Sequence, residues 1–343
     1  MGRRTFLRRG SAGVAAIACS GLPGARLWAQ TAGSLGVRGV YSAPGLSYAS
    51  LHVANRKGII KKNGLDADLK AVSGGHLAMV SLTSQEADFA CVAAIDPIMA
   101  WDKGLRFQVI AVFLGAVAAQ LTARKEWMDQ NGVSPGSPVQ EKVRALKNAR
   151  IGSATVGGGP AQYTKYLGRS YGLDPERDIS IISVGQGASR IAALREGRID
   201  LTVGGSPEAD EMSLQGFGEL FLNFATEAPV FGNFPYTVLA VTQELANRQP
   251  EKCRRIAQSI GEANDLIHSH LGEAIDLLKA HYPRIDPRAI ERAMQRDQAA
   301  FPRGARMSPA MWRNGFEMAR SMQTVKNVPP LEEGQFWTNK FLK

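Results

Sequence analysis

The sequence predicts an α/β protein of two lobes, each a mostly parallel sheet flanked by helices, with a helical C-terminal tail. Three observations predict it. Strand and helix patterns alternate from residue 35. The alternation stops at a polar Gly/Pro/Ser stretch, 126–140, and restarts in the same style. Beyond residue 250 the pattern is almost entirely helical. Strand–helix–strand order implies parallel strands with helices covering both faces.

The first strand spans 35–41, where Val37, Val40 and Tyr41 favour extended backbone. Ser42-Ala43-Pro44-Gly45 is a turn, and 47–57 reads as a helix stopped by Gly58. Strands at 66–72 and 87–93 flank a helix at 75–83; a helix at 97–103 and strands at 107–113 and 120–124 follow. Residues 126–140 read as a long surface loop. Past it come strands at 150–154, 179–184, 199–203 and 220–224, with helices at 160–171, 188–196 and 207–214 between them. A last strand covers 236–242. Helices then occupy 250–282, 287–300 and 308–322. The halves share a plan: a strand, a Gly-rich turn opening a helix, and a Gly/Asp phrase feeding an apolar strand. Gln85-Glu86-Ala87-Asp88-Phe89-Ala90 parallels Glu196-Gly197-Arg198-Ile199-Asp200-Leu201. In open α/β sheets ligands bind beyond the carboxyl ends of the strands, so two such lobes facing each other make a cleft that closes on a ligand.

The 343 residues carry 41 basic and 31 acidic side chains, a net charge of +10. Residues 1–29 hold Arg3, Arg4, Arg8, Arg9 and Arg26 and no acid, so half of the excess lies there and the remaining 314 residues carry +5. Arg3-Arg4-Thr5-Phe6-Leu7-Arg8 resembles a twin-arginine export signal. A mildly apolar stretch at 11–22 and a small residue, Ala29, before the expected cleavage follow it. A basic tail and an ordinary secretory signal are the alternatives. Ala16-Ile17-Ala18-Cys19 also has the small residues before cysteine of a lipoprotein signal, so a lipid anchor on Cys19 is a second expectation. Cys91 and Cys253 read as free thiols.

The remaining basic residues alternate with acids on helices, without the one-signed, aromatic-laced patch of a nucleic-acid footprint. Gly185-Gln186-Gly187 lacks the third glycine of a dinucleotide fingerprint, and the Gly runs are not followed by Lys-Ser/Thr. His268 and His270 are two apart on a helix, so they point apart and suit a solvated face better than zinc. No metal or cofactor is expected.

From about residue 35 to residue 300 the chain resembles the type II periplasmic binding proteins, within them the nitrate/sulfonate/taurine group, which includes binders of thiamine-pyrimidine precursors. The residues that carry the resemblance are Val53-Ala54-Asn55-Arg56-Lys57-Gly58-Ile59-Ile60-Lys61-Lys62-Asn63-Gly64-Leu65-Asp66, the turn Ser73-Gly74-Gly75, Val143-Arg144-Ala145-Leu146-Lys147-Asn148-Ala149-Arg150-Ile151-Gly152, and the return strand Tyr236-Thr237-Val238-Leu239-Ala240-Val241-Thr242. The resemblance implies a receptor outside the cytoplasmic membrane that hands a small molecule to an ABC permease and its ATPase, and a monomer is expected. It implies lobe I from 30–124 and 236–343, lobe II from 125–228, and a hinge crossing at 229–235. It departs from the group at Gly204-Gly205-Ser206-Pro207-Glu208, where Glu-Pro is usual, which leaves the role of Glu208 open. An enzyme of the thiamine-pyrimidine-synthase type on the same fold and a sensory ligand-binding domain are the alternatives; the chain lacks the cysteine cluster of the former.

Candidate ligand contacts follow from helix amino ends, whose free N–H groups and positive dipole favour polar oxygens, and from glycines, which let backbone approach closely. Three turns qualify: Ser73, Gly74, Gly75 and His76; Gly157, Gly158 and Gly159 before Pro160; and Gly204, Gly205 and Ser206 before Pro207. Helix capping is the competing reading of each. The resemblance ends the first strand at the cleft, which adds Tyr41, Ser42 and Ser47. Asp96 opens a helix and is either a ligand contact or a cap; Gln186 at a strand end could supply an amide. Arg190 is the one basic side chain near these turns, which favours an organic ligand, such as a sulfonate, carboxylate or heteroaromatic ring, over a small inorganic anion. Tyr41, Tyr48, Trp101 and Tyr163 suit a planar ring, whereas Phe231, Phe234 and Tyr236 read as hinge packing.

Overall fold

The computed structural model describes residues 34–322 and 325–343. The export-signal and Cys19 expectations lie outside these residues. Among the described residues, ten strands form two five-stranded sheets. The first contains β1 (Leu35–Tyr41), β2 (Leu65–Ala71), β3 (Phe89–Ala93), β4 (Phe107–Leu114) and β10 (Thr237–Thr242), in the order β2-β1-β3-β10-β4. The second contains β5 (Gln120–Arg124), β6 (Arg150–Ser153), β7 (Ser180–Ser183), β8 (Leu201–Gly204) and β9 (Gly218–Asn223), in the order β7-β6-β8-β5-β9.

The sheets are topological copies. In each, the first three strands pair in parallel and the fourth place is taken by an antiparallel strand: β10 between β3 and β4, and β5 between β8 and β9. Each inserted strand is the first laid down after the chain passes between sheets, so it enters with reversed direction. This moves one boundary. Residues 120–124 were expected in the first lobe, but β5 is hydrogen-bonded to β8 and β9 and belongs to the second sheet. The strand's sequence is equally apolar in either setting, and only its partners separate the two.

The stretch 126–140 is also not a continuous loop. Lys125–Asn131 is a helix ended by Gly132 at φ 63°, and Val139–Ala145 is another. Only Trp127 and Met128 are buried in the first, too few for a helical period to show in the sequence. Trp127 packs edge-on to Phe221 of β9, 5.5 Å between centroids, which holds the helix down.

The first helix of the tail belongs to the first sheet's side, while Pro287–Asp297 also packs on the second sheet's Glu208–Leu214 helix. Pro250–Ser269 packs on the Ala49–Arg56 helix and on β4. Its buried face, Ile256, Ile260, Ala263 and Ile267, recurs every three to four residues. Phe336 and Thr338 hydrogen-bond both sides of Val109, so the C-terminal segment covers the edge strand β4 that would otherwise be open to pairing. Among the described residues no helix is long and apolar enough to cross a membrane.

Candidate functional site

The carboxyl ends of the parallel strands of both sheets converge on one cavity of about 110 Å³. One wall comes from the first sheet: Ser42, Ser47 and Tyr48 after β1, Gly74 and Gly75 after β2, and Asp96 after β3. The facing wall comes from the second: Thr155, Gly158 and Gly159 after β6, Gln186 after β7, and Gly204, Gly205, Ser206 and Glu208 after β8. Tyr236 and Thr237, where the chain returns, close the back. A wider hollow of about 430 Å³ adjoins it, sharing Gly74, Gly75, Asp96, Thr155 and Gly158, with Met79, Val80, Met99 and Leu105 as apolar lining.

The walls touch. Leu46 donates its N–H to the Ser206 carbonyl at 3.0 Å, and Gln186 Nε2 reaches the Ser42 carbonyl at 3.5 Å. Gly205 keeps this approach close: a Cβ there would lie 2.9 Å from Ser47 Oγ and would make that hydroxyl shift. The turn carrying it is clamped from behind by the tail helix Pro287–Asp297. Arg296 makes a two-point ion pair with Asp210, 2.9 Å at each bond, and donates to Ser206 Oγ at 2.9 Å. Ser206 donates to Asp297. The Gln120 amide, its oxygen toward Arg296, accepts from Nη2 at 2.8 Å. Burial raises the Asp297 carboxyl, and Arg296 and Ser206 pull it back down.

The cavity holds two carboxyl groups and one guanidinium of unlike status. Arg190 gives Nε and Nη2 to the Glu208 carboxylate at 2.8 and 2.7 Å, and Nη1 to the Val203 carbonyl at 3.0 Å. That fork neutralises both charges. Asp96 has no side-chain partner. It does not cap its helix: Ala94 is the N-cap residue of Ile95–Asp102, with no side-chain cap hydrogen bond. Burial pushes its carboxyl from 3.8 up to about 7, offset in part by the Ala93 N–H. Gly75 makes room for it, since a Cβ at residue 75 would lie 2.0 Å from Asp96 Oδ2. Tyr48 is buried and bonded to Ser42 Oγ at 2.7 Å. Burial raises the phenols of Tyr48 and Tyr236.

Of the residues singled out in the sequence, Ser42, Ser47, Gly74, Gly75, Asp96, Gly158, Gly159, Gln186, Gly204, Gly205 and Ser206 line the inner cavity. Ser73, His76 and Gly157 line only the outer hollow. Tyr41 lines neither. Its ring sits edge-on to His52, 5.1 Å between centroids, because the pleat turns it toward the helix behind the strand. Tyr163 is fully buried among Phe231, Phe234 and Tyr236, and Trp101 packs on Phe336. Tyr236, where hinge packing was weighed above ligand contact, lines the cavity. Thr155 was not foreseen, although it lies two residues before a glycine run that was. Gln120, Asp210, Arg296 and Asp297 carried no local signal; Ser206 and Arg296 meet across 90 residues. His268 is half-buried and bonded to the Phe301 carbonyl at 2.5 Å rather than on a solvated face. Cys91 and Cys253 are buried free thiols. Among the described residues no group of three or more His, Cys, Asp or Glu is placed to hold a metal ion.

The sequence model of the NMT1-like family matches residues 43–277. YtlA of Bacillus subtilis (strain 168), which carries a binding-protein name, is 26% identical over 251 residues, 73% of this chain and 71% of that protein. Among solved structures, a protein of Bordetella bronchiseptica RB50 superposes with a TM-score of 0.76 at 21% identity, over 90% of this chain and 96% of that one. The alkanesulfonate-binding protein SsuA from Xanthomonas axonopodis pv. citri, solved with MOPS bound, gives a TM-score of 0.68 at 16% identity, over 88% and 96%. The fold is that of periplasmic binding proteins.

Proposed function

The chain belongs to the NMT1-like family, and from that premise we propose that it is the extracytoplasmic substrate-binding component of an ABC importer. It captures a small organic ligand in the cavity between its two sheets and delivers it to a membrane permease driven by a cytoplasmic ATPase. The observation that carries the reading is the cavity itself, whose facing walls come from the same strand ends of two topologically equivalent sheets. A ligand filling it contacts both sheets at once, and so favours the closed arrangement by its differential affinity for that state.

In this reading one lobe is the first sheet with the helical tail and the other is the second sheet including β5. The hinges are the two passages between sheets, 115–119 and 224–236. Residues 1–29 export the protein through a twin-arginine route; a lipid anchor on Cys19 is the alternative means of retention. The molecule works as a monomer and uses no cofactor.

The test is a thermal-shift screen of organic sulfonates, carboxylates and heterocycles on the purified protein, followed by product analysis of every compound that binds. A receptor is stabilised by a narrow set of compounds and returns them unchanged, because a ligand stabilises the state it binds. Chemical conversion of a stabilising compound would point instead to an enzyme on this fold. Stabilisation without any permease partner in a transport assay would point to a sensory domain.

A further inference from the structure

Resting on that reading of the cavity as a ligand site, we propose that Asp96 selects the ligand. The inner cavity takes the basic or N–H-bearing nitrogen of an organic molecule, an amine, amidine or amino-heterocycle, and does not take an oxyanion.

The argument is a census of charge. The lining of the inner cavity has two carboxyl groups, Asp96 and Glu208, and one guanidinium, Arg190. Arg190 and Glu208 cancel through two short bonds, and a third Arg190 N–H is held by the Val203 carbonyl. An oxyanion would therefore find no free cation on this wall. It would have to break a two-point ion pair whose guanidinium is buried and whose carboxylate is only partly exposed, at a desolvation cost its own contacts must recover. Asp96 is the reverse case, a carboxylate with no side-chain partner, facing the same space.

The helix amino end beside Asp96 does not restore an anion site on its wall. The Gly75–Thr83 helix begins against the Asp96 carboxylate, so its positive end is already answered by that charge. The other wall groups are neutral. Ser42 and Tyr48 bond each other, Tyr236 lies beside Ser47, and Gln186 and Thr155 suit either donors or acceptors. A cationic head on Asp96 leaves the rest of the molecule pointing into the outer hollow, onto Met79, Met99 and Leu105. That geometry fits an organic base with an apolar body.

The pairing has a pH signature. Asp96 must be ionised to hold a cation, and with its carboxyl near 7 the affinity for a base falls about tenfold from pH 8 to pH 6. The groups facing Asp96 are the Ala93 N–H and the phenols of Tyr48 and Tyr163, which burial keeps neutral throughout. Across the cavity stands the Arg190–Glu208 pair, and at the mouth His76 and Lys103 line the outer hollow. His76 is replaced as the control.

The experiment measures thermal shift and calorimetric affinity for two probe sets at pH 6 and pH 8. The bases are benzylamine, benzamidine and 4-aminopyridine, all protonated across that range; the anions are benzoate, methanesulfonate and nitrate. At least one base should stabilise the protein, bind about tenfold more weakly at pH 6, and lose at least tenfold in Asp96→Asn with the melting temperature of that variant undiminished. The pH slope should vanish in Asp96→Asn and persist in His76→Gln. Binding confined to the anions overturns the selection by Asp96 and leaves the receptor reading standing. A slope that follows His76 overturns the role given to Asp96. No stabilisation by either set counts against the receptor reading and the proposal together.

Discussion

Replacing Asp96 by Asn should stabilise the ligand-free protein at pH 8 and do so progressively less at lower pH. The folded carboxyl is raised from 3.8 to about 7. A raised acid contributes stability that is fully present below its unfolded value and is lost as pH rises through its folded value. At about 1.4 kcal/mol per tenfold change in acid strength, a dry site would give about 4 kcal/mol; allowing for water in the open cavity, about 2–4 kcal/mol is expected. The wild-type curve alone will not show it, because His52 opposes it. Burial, with His281 and Arg56 nearby, lowers the His52 imidazole from 6.5 to about 3, so its contribution is present above 6.5 and lost as pH falls toward 3. The two trends run in opposite directions between pH 4 and 6.5. The quantity to measure is the difference in urea-unfolding free energy between Asp96→Asn and wild type at pH 4, 6 and 8. It should rise by about 2–4 kcal/mol across that range. A difference that stays flat, or an Asn variant that is the weaker protein at pH 8, would refute the claim that an unpaired acid is held in this cavity at a cost to the fold.

Three further outcomes are expected. Arg296→Met strands Asp210 and Asp297, which are shielded from water, and should cost about 2–4 kcal/mol in urea unfolding at pH 7. A double-mutant cycle with Asp210→Asn should return a coupling of about 1–3 kcal/mol, and additive effects would show that the clamp is not a unit. Gly75→Ala should change ligand-free stability by less than about 1 kcal/mol, because the gain in helix propensity offsets the displacement of a terminal carboxylate. The same variant should abolish the thermal shift produced by any ligand that binds the wild type, and an unaltered shift would remove Asp96 from the site. Cys91 and Cys253 are buried, and burial raises both thiols, so neither should react with a thiol reagent in native buffer. Labelling should begin only with urea unfolding, and rapid native labelling would contradict the packing of β3 and of the Pro250–Ser269 helix.

The sequence carried the alternation of elements and most of the cavity wall because both are written in local signals. Apolar runs mark β3, β4 and β10, and glycine-rich turns before proline mark 157–160 and 204–207. Tyr41 illustrates the limit. A strand end near a cleft faces one of two ways, and the register that turned its ring to His52 is set by pairing with β2 and β3. The placement of β5 failed for the same reason: its neighbours lie 80 and 100 residues onward. The charge state of the site was half legible. Arg190 stood out as the lone base near the turns, but its neutralisation by Glu208 depends on two elements 18 residues apart in sequence meeting in three dimensions. The Arg296 clamp was invisible, since nothing local distinguishes Arg296 from the exposed arginines of the same helix.

The central claim is that the two sheets close together on one small molecule. Hydrogen exchange with and without a stabilising compound tests it most directly. The account predicts simultaneous protection of the Ser42–Ser47 and Gly74–Gly75 segments on one wall and the Gly158–Pro160 and Gly204–Ser206 segments on the other, with the compound recovered intact. Protection confined to one wall, or recovery of a product, would contradict it.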